Sequence, residues 1–203
     1  MRVLKPNLFI LLLYFLFGCK QNSDTAAIND TAAMEVVNQY DTSKSKELIR
    51  LILAKEEKDY FNTNCIVEKV IPMYVLANSN VARDVTEKLS IKDNIHLNEQ
   101  MKLYKQFKLT PDLVPDKSIL TQQHFLEFEK KKPFGKSSWV MIEPVCEDGY
   151  SYILKPIFNE DYTIAYVQFG NFCGSYCGGG EIQVYEYRNG GWHKARTISS
   201  WVA

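Results

Sequence analysis

The chain has 203 residues, enough for one domain and a short extension, and its 24 basic residues are balanced by 24 acidic ones. This balance argues against a general nucleic-acid binder, which needs a basic face to release counterions from phosphates. With 46% hydrophobic and 24% charged residues, the chain is also too apolar to be wholly disordered.

The first 19 residues carry the strongest signal in the sequence. Residues 1–5 are basic, and residues 8–17 (LFILLLYFLF) are apolar without a break. Such a segment rises only about 15 Å as a helix, half a bilayer core, which is typical of an export signal and not of a membrane span. Residues 16–19 (LFGC) resemble a lipobox. We therefore predict that residues 1–18 are a signal peptide and that Cys19 carries palmitate and related acyl chains. The alternative is a plain signal peptide in which Cys19 is incidental.

The segment that follows, residues 19–43, is predicted to be a flexible tether after the lipidated cysteine, because it is small and polar. Within it, Asp-Thr-Ala occurs twice, at residues 24–26 and 30–32. This triplet resembles the short acceptor motif for O-glycosylation in Bacteroidetes, which makes Thr25 and Thr31 candidate glycosylation sites. The alternative is an unmodified linker.

Four further cysteines remain, and a compartment beyond the inner membrane permits disulfides. Cys173 and Cys177 are separated by Gly-Ser-Tyr, so they can close a local bridge, which leaves Cys65 to pair with Cys146. The rival interpretation is a metal site formed by Cys173, Cys177 and His193. It lacks a further Cys/His pair, so we expect disulfides and no metal or cofactor.

Residues 44–203 are predicted to form a single domain whose first part is helical. Apolar spacing predicts a helix over about residues 45–60, and a β-rich run follows at 65–76, limited by Pro72 to an edge strand or an irregular segment. Residues 90–93 resemble a capping box before a second helix. Thr121 is a plausible N-cap for a shorter helix that ends in the basic run 130–132. One side of the second helix carries Leu97, Met101, Tyr104 and Phe107.

From residue 139 onward the pattern is strand-like. The predicted strands cover residues 139–145, 150–158, 162–169, 181–188 and 192–199. Asn189-Gly190 is a strong hairpin signal, and a two-residue loop would place Tyr187 opposite Trp192 and Ile182, Val184 and Ala195 on one face. The alternative is a three-residue loop that uses Gly191 and shifts this register by one residue. We therefore predict an α+β fold in which N-terminal helices pack on one face of a C-terminal antiparallel β-meander of about five strands.

The C-terminal half resembles a group of small exported proteins and lipoproteins of Bacteroidetes. The resemblance rests on KPIFNEDYTIAYVQFGNFCGSYCGGG and YRNGGWHKARTISSWVA, preceded by NEQMKLYKQFKL. In that group a PIF-plus-acidic turn, a CG-x-x-CG crossover, an NGxW hairpin and a final Trp recur in this order. The resemblance implies a fold and an envelope location, and it implies no activity.

No catalytic motif stands out in the sequence. The three histidines, His96, His124 and His193, are far apart in the chain, and the three glycines after Cys177 are followed by no phosphate-binding Lys-Ser/Thr. Paired carboxylates for glycoside hydrolysis could come only from residues beside turns, which are more often simply solvated. These are Glu143, Glu147, Asp148, Glu160 and Asp161.

Aromatic residues are dense in the last 65 residues, and one set lies on a single predicted strand face. Tyr185 and Tyr187 alternate with Ile182 and Val184, and the hairpin adds Trp192 to the tyrosine side. This side could be an exposed row that binds glycan, peptide or protein, or it could be core. Our interpretation is a lipid-anchored envelope protein of the outer membrane, on its periplasmic or surface face, that is not an enzyme and has a scaffold or accessory role. The alternatives are a binding module and, more remotely, an envelope hydrolase; the expected partners are the membrane and an envelope protein or glycan, and no nucleic acid.

Overall fold

The computed structural model describes residues 23–56, 58–69, 85–87, 89, 91 and 94–203. The chain divides into two compact units, residues 1–39 and residues 40–203. In the first unit, residues 23–39 are helical, and Cys19 lies outside the described residues. The backbone at Thr25 and Thr31 is described and their side chains are not.

Four α-helices have described bounds, and residues 85–87 and 89 are also helical. The four are α1 (Ser23–Leu51), α2 (Asn94–Gln106), α3 (Gln122–Lys131) and α4 (Trp139–Ile142). The helix predicted over 45–60 is α-helical only to Leu51, and a π-helical turn (Ile52–Glu56) and a 3₁₀ turn (Lys58–Phe61) follow. The predicted tether is corrected at its C-terminal end, because residues 40–43 belong to α1 and Asp41 is buried.

Helix α3 begins as its sequence predicts. Thr121 is the N-cap, and its hydroxyl accepts from the His124 N–H at 3.4 Å while His124 Nδ1 accepts from the Thr121 N–H at 3.1 Å. This reciprocal pair satisfies two of the donors that a helix start leaves open. The basic residues Lys130 and Lys131 occupy the last turn, where they complement the negative end of the helix dipole.

Within the described part of the chain, the sheet has seven strands. They are β1 (Cys65–Val67), β2 (Ser118–Leu120), β3 (Tyr150–Ile153), β4 (Ile157–Phe158), β5 (Ile164–Gly174), β6 (Cys177–Arg188) and β7 (Gly191–Val202). Their order is β2-β1-β3-β5-β6-β7, with β4 also paired to β5. The C-terminal strands are antiparallel as predicted, whereas β1 pairs in parallel with both β2 and β3. The α+β prediction is confirmed. Strand β1 is interior and not an edge, and Pro72 lies outside the described residues.

The β6–β7 hairpin has the predicted two-residue loop. Tyr187 pairs with Trp192, and Asn189 and Gly190 take the left-handed φ values of 53° and 80° that such a turn requires. Further along, Val184 pairs with Arg196 and Tyr185 with Lys194, so Ala195 bulges out of the ladder. Ala195 is exposed, so the prediction that it shares a face with Val184 is wrong.

Two of the predicted strands are wrong in part. Residues 139–145 form helix α4 and a turn, because Ile142 turns inward and the Cys146 N–H donates to the Ile142 carbonyl at 2.8 Å. Pro144 also lacks the N–H that a strand ladder uses. The run 150–158 is two strands, β3 and β4, because Pro156 interrupts the ladder.

Both faces of the sheet are covered. Along β3, Tyr152 packs in one cluster and Ile153 in the other, and Tyr166 and Val167 alternate in the same way along β5. On one face the sheet packs against Leu48, Ile49 and Ile52, and on the other against Val85, Leu89, Ile91 and Tyr104. The prediction that helices cover one face is therefore incomplete.

The two predicted disulfides are present. Cys65 and Cys146 are joined with their Cα atoms 5.7 Å apart, inside a small cluster with Leu120, Phe128 and Ile142. Cys173 and Cys177 are joined with Cα atoms 5.0 Å apart and close the turn between β5 and β6. The three glycines after Cys177 lie inside β6, paired with β5, and not in a crossover.

Candidate functional site

The densest cluster of buried polar side chains lies between α1, α2 and the sheet. Asp41 and Gln100 are 1% exposed and Lys155 is 4% exposed. Lys155 Nζ lies 2.7 and 3.0 Å from the two carboxylate oxygens of Asp41. Gln100 Nε2 donates to Asp41 at 2.8 Å, and the Tyr162 hydroxyl lies 3.3 Å from the same oxygen. We call these four side chains the Asp41–Lys155 network.

The backbone places Lys155 in this network. Pro156 separates β3 from β4, and the Lys155 ammonium donates to the Pro156 carbonyl at 2.9 Å as well as to Asp41. On the other side, the Phe158 N–H donates to Gln100 Oε1 at 3.0 Å. The segment around Pro156 therefore supplies the Lys155 ammonium to Asp41 of α1 and the Phe158 N–H to Gln100 of α2.

Tyr162 reaches the network from a strained backbone position. Its φ is +57°, a left-handed value that is uncommon for a residue other than glycine. A tight turn holds it, since Asn159 Oδ1 accepts from the N–H groups of Thr163 and Ile164 at 2.9 and 2.8 Å. The Tyr162 ring packs 5.1 Å from the ring of Phe158. The turn thus holds Tyr162 in a strained backbone conformation that places its hydroxyl beside Asp41.

Burial governs the electrostatics of these groups. It lowers the pKa of the Lys155 ammonium, an effect that the adjacent Asp41 carboxylate opposes. The pKa of the Tyr162 hydroxyl is raised, first by burial and then by the Asp41 charge. Because these donors and acceptors bond to one another inside the core, the network can dock α1 to the sheet and is poorly placed to meet a substrate.

Sequence reasoning missed this network. The sequence pattern places Asp41 in the tether and marks neither Gln100 nor Lys155 as a candidate site residue. No local pattern marks the three residues, which lie 59 and 55 positions apart in the chain. The one usable signal was Lys155 before Pro156, a charged residue in an otherwise apolar run.

The aromatic row proposed as a ligand face is largely core. Tyr185 is 0% exposed and Trp192 is 4% exposed, both packed in the cluster that contains Leu48. Tyr187 is half-buried, and the Lys44 ammonium lies 3.6 Å from its ring centroid. The interpretation as an exposed binding row is therefore wrong for Tyr185 and Trp192, because α1 covers that face of the sheet.

The candidate carboxylates do not form one site. Glu143, Glu147 and Asp148 lie between α4 and β3, and Glu160 and Asp161 lie in the turn before β5; all five are exposed. The Thr163 hydroxyl donates to Asp161 at 2.7 Å and lowers the pKa of that carboxyl. A glycosidase acid needs a raised pKa, so Asp161 does not suit that role.

The thiolate metal site is excluded by the bridge between Cys173 and Cys177, since both sulfurs are used. His193 is exposed on β7. Among the residues that the structure describes, no group of three or more His, Cys, Asp or Glu side chains could hold a metal ion.

A basic cleft of about 830 Å³ lies beside the start of α3. Its lysines, Lys69, Lys105 and Lys108, are partly used by the protein itself. The Lys69 ammonium donates to the Lys105 carbonyl, and Lys108 lies 3.8 Å from the Glu68 carboxylate. The remaining lining is Thr121, Gln122, Gln123 and Leu126. No local pattern in the chain predicts this cleft.

Comparison of the chain with protein-family models, with curated proteins and with solved structures gives no match. Within the described ranges, no helix is both long enough and apolar enough to cross a bilayer.

Proposed function

We propose that the protein is a lipid-anchored cell-envelope protein, most simply of the outer membrane, with a non-catalytic scaffold or accessory role. The observation that carries the proposal is the pairing of all four cysteines that follow Cys19. Disulfides form and persist in oxidising compartments and are rare in the cytosol. The remaining cysteine, Cys19, follows the apolar segment 8–17 after one glycine, which is where a lipidated cysteine is expected.

The position of Cys19 supports the lipid anchor. The basic residues 1–5, the apolar run 8–17 and the LFGC sequence together have the order of a lipoprotein signal. Each buried methylene of an acyl chain contributes about 0.8 kcal/mol, so two or three chains give stable attachment where one is marginal.

The accessory role is supported by where the polar groups are used. The Asp41–Lys155 network bonds to itself within the core, and the candidate carboxylates lie on two separate exposed turns. Neither arrangement brings a nucleophile, a base and an open pocket together, which is the geometry that a hydrolase needs.

Membrane fractionation of the Cys19→Ser variant tests the anchor. The native protein should take up labelled palmitate and sediment with the outer membrane. Cys19→Ser should lose the label and either appear in the soluble fraction or stay uncleaved. The matched control is Cys173→Ser/Cys177→Ser, which removes two other cysteines and should keep the label. Unchanged labelling and processing of Cys19→Ser would reject the anchor.

We also propose that Thr25 and Thr31 carry O-linked glycan, on the strength of the repeated Asp-Thr-Ala triplet. The intact mass of the native mature protein should then exceed that of the acylated chain by hexose-sized steps. The double variant Thr25→Ala/Thr31→Ala should lose this excess. A native mass equal to that of the acylated chain alone would contradict the proposal.

A further inference from the structure

The two disulfides lie in opposite environments. Cys65 and Cys146 are both 0% exposed, and apolar side chains surround them. Cys173 and Cys177 are both exposed, at the turn between β5 and β6. Tyr176, inside the turn, is 93% exposed. A thiol in solution can therefore approach one bridge and not the other.

The strands around the exposed bridge can stay paired when the bridge is reduced. Below the turn, β5 and β6 are paired from Ile164 and Glu186 up to Phe172 and Gly178, and only the pair of Gly174 with Cys177 lies beyond. Reduction would free a turn of three residues while this ladder stays closed. The two sulfurs would also stay close together, because the paired strands hold their backbones, so the bridge can re-form at high effective concentration.

The buried bridge, Cys65–Cys146, is enclosed by strands and by apolar side chains. Cys65 begins β1, which pairs with β2 on one side and β3 on the other. Cys146 follows α4, whose Ile142 packs in the same cluster. An attacking thiolate could reach these sulfurs only after this part of the core opens, which is a rarer event than the exposure of a turn.

We propose that Cys173–Cys177 is a thiol–disulfide exchange site, open to small thiols and dithiols, and that Cys65–Cys146 is inert in the folded protein. In the first step an attacking thiolate forms a mixed disulfide with one of the two cysteines, and the other leaves as a thiolate. A second thiol of the reductant then displaces the first. The bridge gains two electrons and two protons, and the reductant becomes a disulfide.

The consequence of exchange is confined to the turn. Reduction removes the constraint on residues 174–176, including the exposed Tyr176, and leaves the sheet below it closed. The inference concerns the folded domain and does not depend on the lipid anchor.

Timed alkylation tests the proposal. The full chain, oxidised and folded, is incubated with glutathione or dithiothreitol, quenched with an alkylating reagent and mapped by peptide mass. Cys173 and Cys177 should be alkylated at least about tenfold faster than Cys65 and Cys146, because a buried sulfur is reached only through opening of the core. Far-UV circular dichroism should stay unchanged while the exposed pair is reduced. Glutathione disulfide should then restore the bridge.

Two variants separate the outcomes. Cys173→Ser/Cys177→Ser should lose the fast phase, and under native conditions neither Cys65 nor Cys146 should be alkylated, which assigns that phase to the exposed pair. Cys177→Ser, treated with glutathione disulfide, should gain one glutathione at Cys173. Equal rates for the two bridges, no reaction of either bridge in the folded chain, or reduction of the exposed pair only when the dichroism is lost would each overturn the proposal.

Discussion

Lys155 is the most deeply buried cation among the described residues, and its charge is balanced by one carboxylate. Its ammonium lies 2.7 Å from Asp41, and neither side chain is more than 3% exposed. A buried pair of this kind adds little net stability over apolar packing, but removal of one partner leaves an uncompensated charge in the core. The network therefore constrains how α1 packs, because Asp41 must meet Lys155 when the helix docks against the sheet.

Lys155→Met should lower the free energy of unfolding by about 3–5 kcal/mol, because the Asp41 carboxylate would stay buried without its cation. The double variant Asp41→Asn/Lys155→Met should recover part of this loss. Urea unfolding at neutral pH measures both. The control is Lys131→Met, whose partner Glu127 is 3.2 Å away in an exposed pair, and it should change stability by less than about 0.5 kcal/mol. Additive effects in the double variant would show that the two charges do not interact.

Glu181 gives the fold a specific sensitivity to acid. Its partial burial acts to raise the pKa of the carboxyl, but hydrogen bonds and the nearby charge of Lys194 outweigh that effect, and the pKa falls below the ordinary 4.5. Gln183 Nε2 donates at 2.7 Å, and the hydroxyls of Thr197 and Tyr60 lie at 3.2 Å. The unfolded chain therefore binds the proton more tightly, so this stabilisation is complete above pH 4.5 and disappears as the pH falls through the folded-state pKa.

Glu181→Gln should accordingly be less stable than the native chain at neutral pH, and the difference should shrink as the pH falls below 4.5. Urea midpoints measured across this range check the sign. Glu186→Gln, at an exposed position of the same strand, serves as the matched control. A difference that grows toward acid pH would contradict the assignment.

At the scale of the elements, the glycines of β6 allow aromatic rings to cover the sheet. Gly170 pairs with Gly180, and each lies next to an aromatic residue of the neighbouring strand, Tyr152 on β3 and Trp201 on β7. A Cβ on Gly180 would lie 2.6 Å from the Phe169 carbonyl oxygen and 2.6 Å from Trp201 Nε1. The rings of Tyr152 and Trp201 therefore occupy the space that side chains at Gly170 and Gly180 would fill. An aromatic ring placed over a glycine in this way is known to stabilise a sheet.

Gly180→Ala should lower the free energy of unfolding by about 2 kcal/mol, because both the backbone and the Trp201 ring would have to move. Gly191→Ala is the matched control, since a Cβ there would have nothing within 4 Å, and it should cost less than about 0.5 kcal/mol. Thermal or urea unfolding decides between them. Equal effects at the two glycines would show that the cost is a general preference of strands and not the close approach at Gly180.

At the scale of the whole molecule, the Cys65–Cys146 bridge ties distant parts of the chain together. It spans 81 positions, whereas the Cys173–Cys177 bridge spans 4. The loop-entropy argument gives about 4.5 kcal/mol for the long loop and about 2 kcal/mol for the short one. The long bridge also joins the interior strand β1 to the segment after α4, so it supports the junction between the parallel and antiparallel parts of the sheet.

Cys65→Ala/Cys146→Ala should therefore lower the melting temperature more than Cys173→Ala/Cys177→Ala does. Calorimetry of the two double variants against the native chain, all without reductant, measures the difference. The short-bridge variant should still fold, since the β5–β6 ladder persists below its turn. A larger loss from the short bridge would contradict the loop-entropy argument.

The sequence determined the features that depend on neighbours in the chain. The Thr121 cap, the Asn189-Gly190 hairpin and the turn closed by Cys173 and Cys177 could be predicted, because each depends on residues within a few positions of one another. The hairpin register could be predicted only next to its loop, because bulges shift it further along the strands. The Cys65–Cys146 pairing followed by elimination once the local bridge was assigned. The α+β class followed from the change of periodicity along the chain.

The tertiary structure alone decided what depends on distant segments. Residues 139–145 have strand-like composition, yet they form α4 because Ile142 packs beside the buried disulfide. Tyr185 and Trp192 became core because α1 covers their face, and an alternating pattern cannot say which face is covered. The Asp41–Lys155 network was out of reach for the same physical reason: its energy comes from desolvated charges that meet across 114 positions of chain, and no local preference encodes that meeting.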